Sequence, residues 1–197
     1  MSENFEVSST KIHTQYGEFD LYCFTFGDHE EDNLLCLVSG RPGDRPIVRV
    51  QSACYTAEIF RSTDCDCHEQ LTRSLEIISE GSGILIYMLC DGRGAGLQTK
   101  IQGLELGRTE GLDTAEAYDA LGVERDPREY NRVSNVLDYL EVDSVRLLTN
   151  NPRKVEGLEK KDIEVEREPL EIAATEKSKQ YLETKASKMG HMLDQFE

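Results

Sequence analysis

The front third of the chain carries its apolar residues in short runs bounded by turn signals. Phe19 to Phe26, behind Gly17, and Leu34 to Val38 each have the length and composition of a strand. Gly40-Arg41-Pro42-Gly43-Asp44-Arg45-Pro46 is a dense turn signal, and the β-branched run Ile47-Val48-Arg49-Val50 follows as a further strand. From Glu69 to Ile78 the spacing changes. Leu71, Leu75 and Ile78 recur at helical intervals until Gly81 and Gly83 stop them. Ile84 to Leu89 is a continuous apolar run, which predicts a buried strand. Residues 91–96 read as a flexible loop and Leu97 to Leu106 as a helix. Thr114 is expected to cap a short helix that Gly122 ends. Asn131 to Leu140 carries Val133, Val136, Leu137 and Leu140 on one helical face. Val145 to Leu148 is a short strand running into Thr149-Asn150-Asn151-Pro152, where Pro152 suits the first turn of the next helix. Thr175 to Phe196 is helix-prone and charged, and reads as a solvated terminal helix.

Strands and helices alternate over residues 84–166, so the fold class is α/β. The expected architecture is a mixed β-sheet core with flanking helices and a β-hairpin-rich N-terminal third. The 197 residues, 38% of them hydrophobic, suffice for one domain or two small ones at most. One domain over 1–197, with 175–197 as a helical tail, is the expectation.

Charge narrows the partners. Lys plus Arg is 22 and Asp plus Glu is 38, a formal net charge of −16. That argues against nucleic acid and anionic membranes, which call for a basic footprint. An anionic small substrate stays compatible, because a local Arg/Lys cluster can act inside an acidic envelope. The longest apolar run, Ile84 to Cys90, falls well below the ~20 residues of a membrane span. The N-terminus shows no basic region followed by an apolar stretch, so a cytoplasmic location is expected.

In that compartment, clustered cysteines point to metal or catalysis rather than disulfides. Cys23, Cys36 and Cys90 sit among apolar neighbours and read as small buried hydrophobes. Cys54, Cys65 and Cys67 form C-x10-C-x-C. Three thiolates without a fourth suit a zinc site with an open position. His68 adjoins them, as a fourth ligand or as an outer or surface residue. Three glycines surround Arg93 in residues 91–96, a phosphate cradle or a plain turn. Thr149-Asn150-Asn151-Pro152-Arg153-Lys154 brings bases to a helix start that favours anions, or is a cap with solvated bases. Asp126-Pro127-Arg128 reads by default as a surface ion pair.

In order, the chain shows Arg49-Val50-Gln51-Ser52-Ala53-Cys54, Asp64-Cys65-Asp66-Cys67-His68-Glu69-Gln70-Leu71 and Asp91-Gly92-Arg93-Gly94-Ala95-Gly96-Leu97. Then come Gly111-Leu112-Asp113-Thr114-Ala115-Glu116-Ala117, Asp126-Pro127-Arg128-Glu129-Tyr130, Arg146 to Val155, and Lys185-Ala186-Ser187-Lys188-Met189-Gly190-His191. From about residue 10 to about residue 193 this resembles GTP cyclohydrolase II, the zinc enzyme that opens the guanine imidazole ring at the entry to riboflavin synthesis.

The resemblance implies one zinc per chain on Cys54, Cys65 and Cys67. It implies nucleotide contacts from Arg49, Ser52, Gln70, Gly92, Arg93, Thr114, Thr149 and Lys154, with Asp91 beside the base. Asp126 matches a proton acceptor, and Arg128 a nucleophile on the α-phosphate that releases pyrophosphate. A guanidinium is essentially never deprotonated in a protein, so a phosphate clamp is the physically cheaper role for Arg128. Attack of an activated water on C8, a second hydrolysis releasing formate, Mg²⁺ on the triphosphate and a homodimer are implied too.

The departures carry information. Gln51 stands where the family has His, Ala53 where it has Glu, Asp91 where it has Glu, and Asp64 where it has a basic residue. Leu104 takes the place of a Tyr implicated in later steps; a one-residue slip would put Glu105 there. Three outcomes follow: an active cyclohydrolase, with its later steps intact or altered so that the formyl group is retained, the same zinc chemistry on another nucleotide, or a non-catalytic nucleotide-binding relative.

Overall fold

The computed structural model describes residues 3–196. Seven strands form one sheet: β1 (Glu6–Thr14), β2 (Gly17–Thr25), β3 (Leu34–Val38), β4 (Ile47–Ser52), β5 (Ile84–Met88), β6 (Ser144–Leu148) and β7 (Glu164–Glu168). The α-helices are α1 (Tyr55–Glu58), α2 (Cys67–Gly81), α3 (Leu97–Glu110), α4 (Thr114–Ala120), α5 (Asn131–Tyr139), α6 (Pro152–Glu159) and α7 (Lys179–Met189). The chain gathers into two compact units. One comprises Met1–Gln51, Gln70–Leu89 and Glu129–Leu170; the other comprises Ser52–Glu69, Cys90–Arg128 and Glu171–Glu197.

The first unit holds the sheet, in the order β1-β2-β3-β5-β4-β6-β7. β1, β2, β3 and β5 pair antiparallel, whereas β4, β6 and β7 pair parallel, so the sheet is mixed as expected. Phe19, Ile78 and Leu85 form a buried cluster, with Leu37, Leu71 and Leu75 packed against it. This is where the helical spacing of α2 meets one face of the sheet. Side chains alternate along a strand, so Phe24 faces the other way. It meets Tyr139 of α5, with 5.3 Å between ring centroids. Helices therefore flank both faces, and the α/β class holds.

Two strands carry no apolar signal in the sequence. Glu6–Thr14 reads EVSSTKIHT and Glu164–Glu168 reads EVERE. Both lie at the sheet's edges, where polar and charged residues discourage further pairing and erase the apolar signal. Close packing explains one glycine. An alanine Cβ at Gly157 of α6 would stand 2.7 Å from Cδ2 and 3.0 Å from Cβ of Tyr130, which is buried. Gly157→Ala should cost about 1–3 kcal/mol of overpacking. At ~2–4 °C per kcal/mol, calorimetry should show a midpoint lowered by roughly 2–12 °C. An unshifted midpoint would contradict this packing.

In the second unit α3 packs on α4, and α4 on α7. Asp113, not Thr114, is the N-cap of α4. Its carboxylate accepts from the Ala115 and Glu116 amides, and Glu116 returns a bond to the Asp113 amide. This is the capping box, with Thr114 as the first helical residue. The terminal segment is also corrected. α7 spans Lys179–Met189, ends at Gly190 with φ 67°, and is followed by a 3-10 turn at Asp194–Phe196. Far from being solvated all round, it buries Leu182, Thr184 and Lys185. Lys188 pairs with Asp113 and Glu116, tying α7 to α4.

Candidate active site

β4 delivers Cys54 to the N-cap position of α1, and Cys67 opens α2. Cys65 lies in the segment just before it. The three sulfurs lie within 4.8 Å of one another, and Cys54 Sγ is 3.8 Å from Cys65 Sγ. Sulfurs ~2.3 Å from one tetrahedral ion would be about 3.8 Å apart. The spacing thus fits zinc. The Cys54 thiol is held far below its ordinary range by hydrogen bonds from Cys65 and Cys67, with Lys100 adding to them against burial. Cys65 is pushed up to about 11 and Cys67 well above the ordinary thiol value, each chiefly by its contact with Cys54. Three thiolates this close together call for a cation. His68 is half-buried and not among the mutually close donor atoms, so the described residues supply three ligands.

The glycine loop is anchored rather than flexible. Asp91 accepts from the Gly92 amide at 2.5 Å and from the Tyr55 amide at 2.9 Å, and caps a 3-10 turn at Gly92–Gly94. Lys100 Nζ lies 2.9 Å from Asp91 Oδ1 and 3.1 Å from Cys54 Sγ. Burial opposes the charge on Lys100, but the hydrogen bond to Asp91 and the Cys54 sulfur raise its pKa overall. Arg93 sits in the left-handed region at φ 57°. Its guanidinium carbon lies 5.9 Å from the Tyr118 ring centroid and 6.0 Å from that of Tyr181. Its Nη1 and Nη2 are buried and have no hydrogen-bond partner among the described residues. Buried donors left unpaired are costly, so Arg93 is poised for an acceptor.

Asp126 and Arg128 are buried, not a surface pair: their side chains are 6% and 10% exposed. Arg128 Nε and Nη2 donate to the two Asp126 oxygens at 2.7 Å each, and Nη1 donates to Ser52 Oγ at 3.1 Å. This bidentate geometry keeps the guanidinium charged.

Sequence reasoning passed over a second lysine. Lys185 Nζ reaches Asp66 Oδ1, between two of the cysteines, at 2.9 Å and lies 4.3 Å from the Tyr181 ring centroid. Burial opposes its charge, yet Tyr181 and Asp66 raise its pKa overall. Burial pushes the Tyr181 phenol up to about 12. No local spacing links Lys100 to Cys54 or Lys185 to Asp66; only the fold does.

Ser52, Asp91, Gly92, Arg93, Thr114, Asp126 and Arg128 share the second unit with the cysteines. Arg49, Gln70, Thr149 and Lys154 belong to the first. There, buried Arg49 donates to Gln51 Oε1 at 2.7 Å, Gln70 Oε1 at 2.6 Å and the Leu148 carbonyl at 2.9 Å. Gln51, the His position of the resemblance, is thus an internal acceptor for Arg49. Lys154 is buried and donates to the Val50 carbonyl at 2.6 Å, while Arg153 is solvated. The Thr149 hydroxyl accepts from the Asn151 amide at 3.0 Å. Of the altered positions, Ala53 is buried, Leu104 is 48% exposed on α3, and Glu105 is exposed and paired with Arg108.

Comparison with known proteins gives a consistent picture. The family model for GTP cyclohydrolase II matches residues 5–169. The riboflavin biosynthesis protein RibBA of Bacillus mycoides is 47% identical over 193 residues, covering 96% of this chain and 48% of its own. RibBA of Staphylococcus saprophyticus is 41% identical over 187 residues, covering 94% and 47%. The chain spans about half the length of these curated relatives. Among solved structures, RibBX from A. baumannii, a two-domain 3,4-dihydroxy-2-butanone 4-phosphate synthase, overlaps 75% of this chain and 34% of its own. Its TM-score is 0.44 at 20% identity, a likeness too slight to build on.

Proposed function

This chain belongs to the GTP cyclohydrolase II family, and on that premise we propose that it opens the imidazole ring of GTP at C8 and releases pyrophosphate. The observation that carries the reading is the trio of cysteine sulfurs within 4.8 Å of one another. Cys54, Cys65 and Cys67 would hold one zinc ion, which when bound supplies Lewis acidity and lowers the pKa of a water toward ~7.

The chain's own residues bind, orient and move protons. Arg93 offers two buried donors to an anionic oxygen of the nucleotide. Arg128 retains its charge and clamps phosphate, stabilising charge in the transition state while a water, rather than the guanidinium, attacks the α-phosphorus, gives up its proton and displaces pyrophosphate. Without ligand, Arg128 holds both oxygens of Asp126. Phosphate oxygens that compete for Arg128 would free the Asp126 carboxylate to accept a proton. Nucleotide arrival and base activation are then one event. By resemblance, Ser52, Gly92 and Thr114 also touch the nucleotide, as do Arg49, Gln70, Thr149 and Lys154. Mg²⁺ would accompany the triphosphate, and the enzyme would work as a homodimer.

Removing Lys154 should raise KM for a binding step that is salt-sensitive, whereas removing Arg128 should mainly lower turnover. Unchanged nucleotide affinity in both variants would contradict these roles. Sedimentation as a single ~22 kDa species at working concentrations would defeat the dimer.

The product follows from Leu104. Release of formate requires a second hydrolysis of the ring-opened formamide, and Leu can neither donate nor accept a proton. Acid–base help is worth about 10²–10⁴ in rate, so its loss leaves the first hydrolysis running and stalls the second. The formamidopyrimidine nucleotide should accumulate with little formate, and Leu104→Tyr should restore formate. Zinc-loaded protein incubated with each nucleoside triphosphate, followed by product mass and formate assay, tests the whole reading. Stoichiometric formate from GTP would sink the stalled hydrolysis. Turnover of another nucleotide alone would move the same chemistry to that substrate.

A further inference from the structure

We propose that Lys100, held by Asp91, is a positioning residue for the metal ligand Cys54, and that Asp91 performs this task instead of contacting the nucleotide base. The inference rests on the zinc reading above and adds two residues to it.

Asp91 has no spare capacity. An ionised carboxylate offers about four lone-pair sites. Oδ1 accepts from the Gly92 amide at 2.5 Å and from Lys100 Nζ at 2.9 Å. Oδ2 accepts from the Tyr55 amide at 2.9 Å, with Lys100 Nζ at 3.3 Å. The residue is 3% exposed, so neither solvent nor a base edge reaches an empty site on it.

Two of these partners, the Tyr55 amide and Lys100, bear on Cys54. The Tyr55 amide fixes the backbone just beyond the ligand, and Lys100 Nζ fixes its sulfur at 3.1 Å. The ligand is thereby held at two points by one ion pair whose side chains are 15% and 3% exposed. Gly92 makes this approach of α3 feasible. A Cβ there would come within 3.3 Å of Lys100 Cβ, on a backbone at φ +58°. Partners that orient a metal ligand typically change metal affinity or activity by ~10–100-fold when removed.

The test uses the whole chain with its metal. Zinc affinity is read by competition with a chromophoric chelator, and the Co²⁺-substituted protein gives the sulfur-to-cobalt charge-transfer absorption. Lys100→Met should bind zinc about 10–100-fold more weakly and shift the cobalt band. Lys100→Gln, which keeps an N–H donor, should fall between it and the parent, and it carries the test if the Met variant does not melt cooperatively. Lys188→Met, which removes an exposed pair in the same unit, should leave both readings unchanged. Asp91→Asn should weaken zinc and lower kcat while KM for GTP holds.

Parent-like zinc affinity and cobalt spectra in both Lys100 variants would overturn the inference and leave the zinc reading standing. A raised KM in Asp91→Asn with zinc affinity intact would overturn it too, returning Asp91 to the nucleotide. A parent chain that takes up no metal would remove the zinc reading and the inference with it.

Discussion

Cys65→Ser should empty the metal site and bring GTP turnover to background. Three sulfurs are a minimal set: an open catalytic position leaves no spare protein ligand to compensate. A serine hydroxyl is a hard, neutral oxygen that stays protonated at neutral pH, and it replaces a soft thiolate. Cys54 and Cys67 would remain as two ligands, with Lys100 and Lys185 still facing the emptied cluster. Metal analysis should fall from one zinc per chain to a small fraction of one. The sheet of the first unit, which contains none of the three cysteines, should keep its spectroscopic signature. Full zinc retention in this variant would remove the metal site in the form described.

The second large effect is on stability. Asp126→Asn removes a carboxylate that holds Arg128 through two hydrogen bonds of 2.7 Å in a buried setting. Breaking a buried pair from one side costs about 3–5 kcal/mol, because a desolvated charge loses the carboxylate that its two short hydrogen bonds engage. At ~2–4 °C per kcal/mol, calorimetry should show the midpoint falling by roughly 6–20 °C. Combining it with Arg128→Met should recover much of that loss, since the desolvated guanidinium is then gone as well. Activity should stay low in both, because the proposed clamp and proton acceptor are gone. A double variant no more stable than Asp126→Asn would mean that the pair is not the source of the loss.

The elements legible in the sequence were those whose signal is local. The runs Leu34 to Val38 and Ile84 to Leu89 became β3 and β5, and Leu71, Leu75 and Ile78 became the core-facing stripe of α2, with Ile78 fully buried. Edge strands carry the opposite pattern. Glu164–Glu168 joins the sheet through its backbone while its side chains stay mostly charged, so apolar periodicity could not reveal it. The site divides along the same line. The cysteine trio is short-range, and its spacing alone suggested a metal. Lys185 stands 119 residues from Asp66, and Lys100 stands 46 from Cys54, so tertiary structure alone pairs them. Burial was the other hidden quantity. Asp126 and Arg128, two residues apart in polar surroundings, read as a surface pair until the fold enclosed them.

The link between Lys185 and Asp66 also has a consequence in time. Ribosomes deliver chains at about 5–20 residues per second, from the N-terminus onward. A lysine 119 residues downstream of its carboxylate therefore arrives roughly 6–24 s after it. During synthesis, Cys65 and Cys67 must wait that long before α7 can close over the loop between them. In the nascent chain these thiols are open to oxidation or to a foreign ion, and only the later helix gives them their finished surroundings.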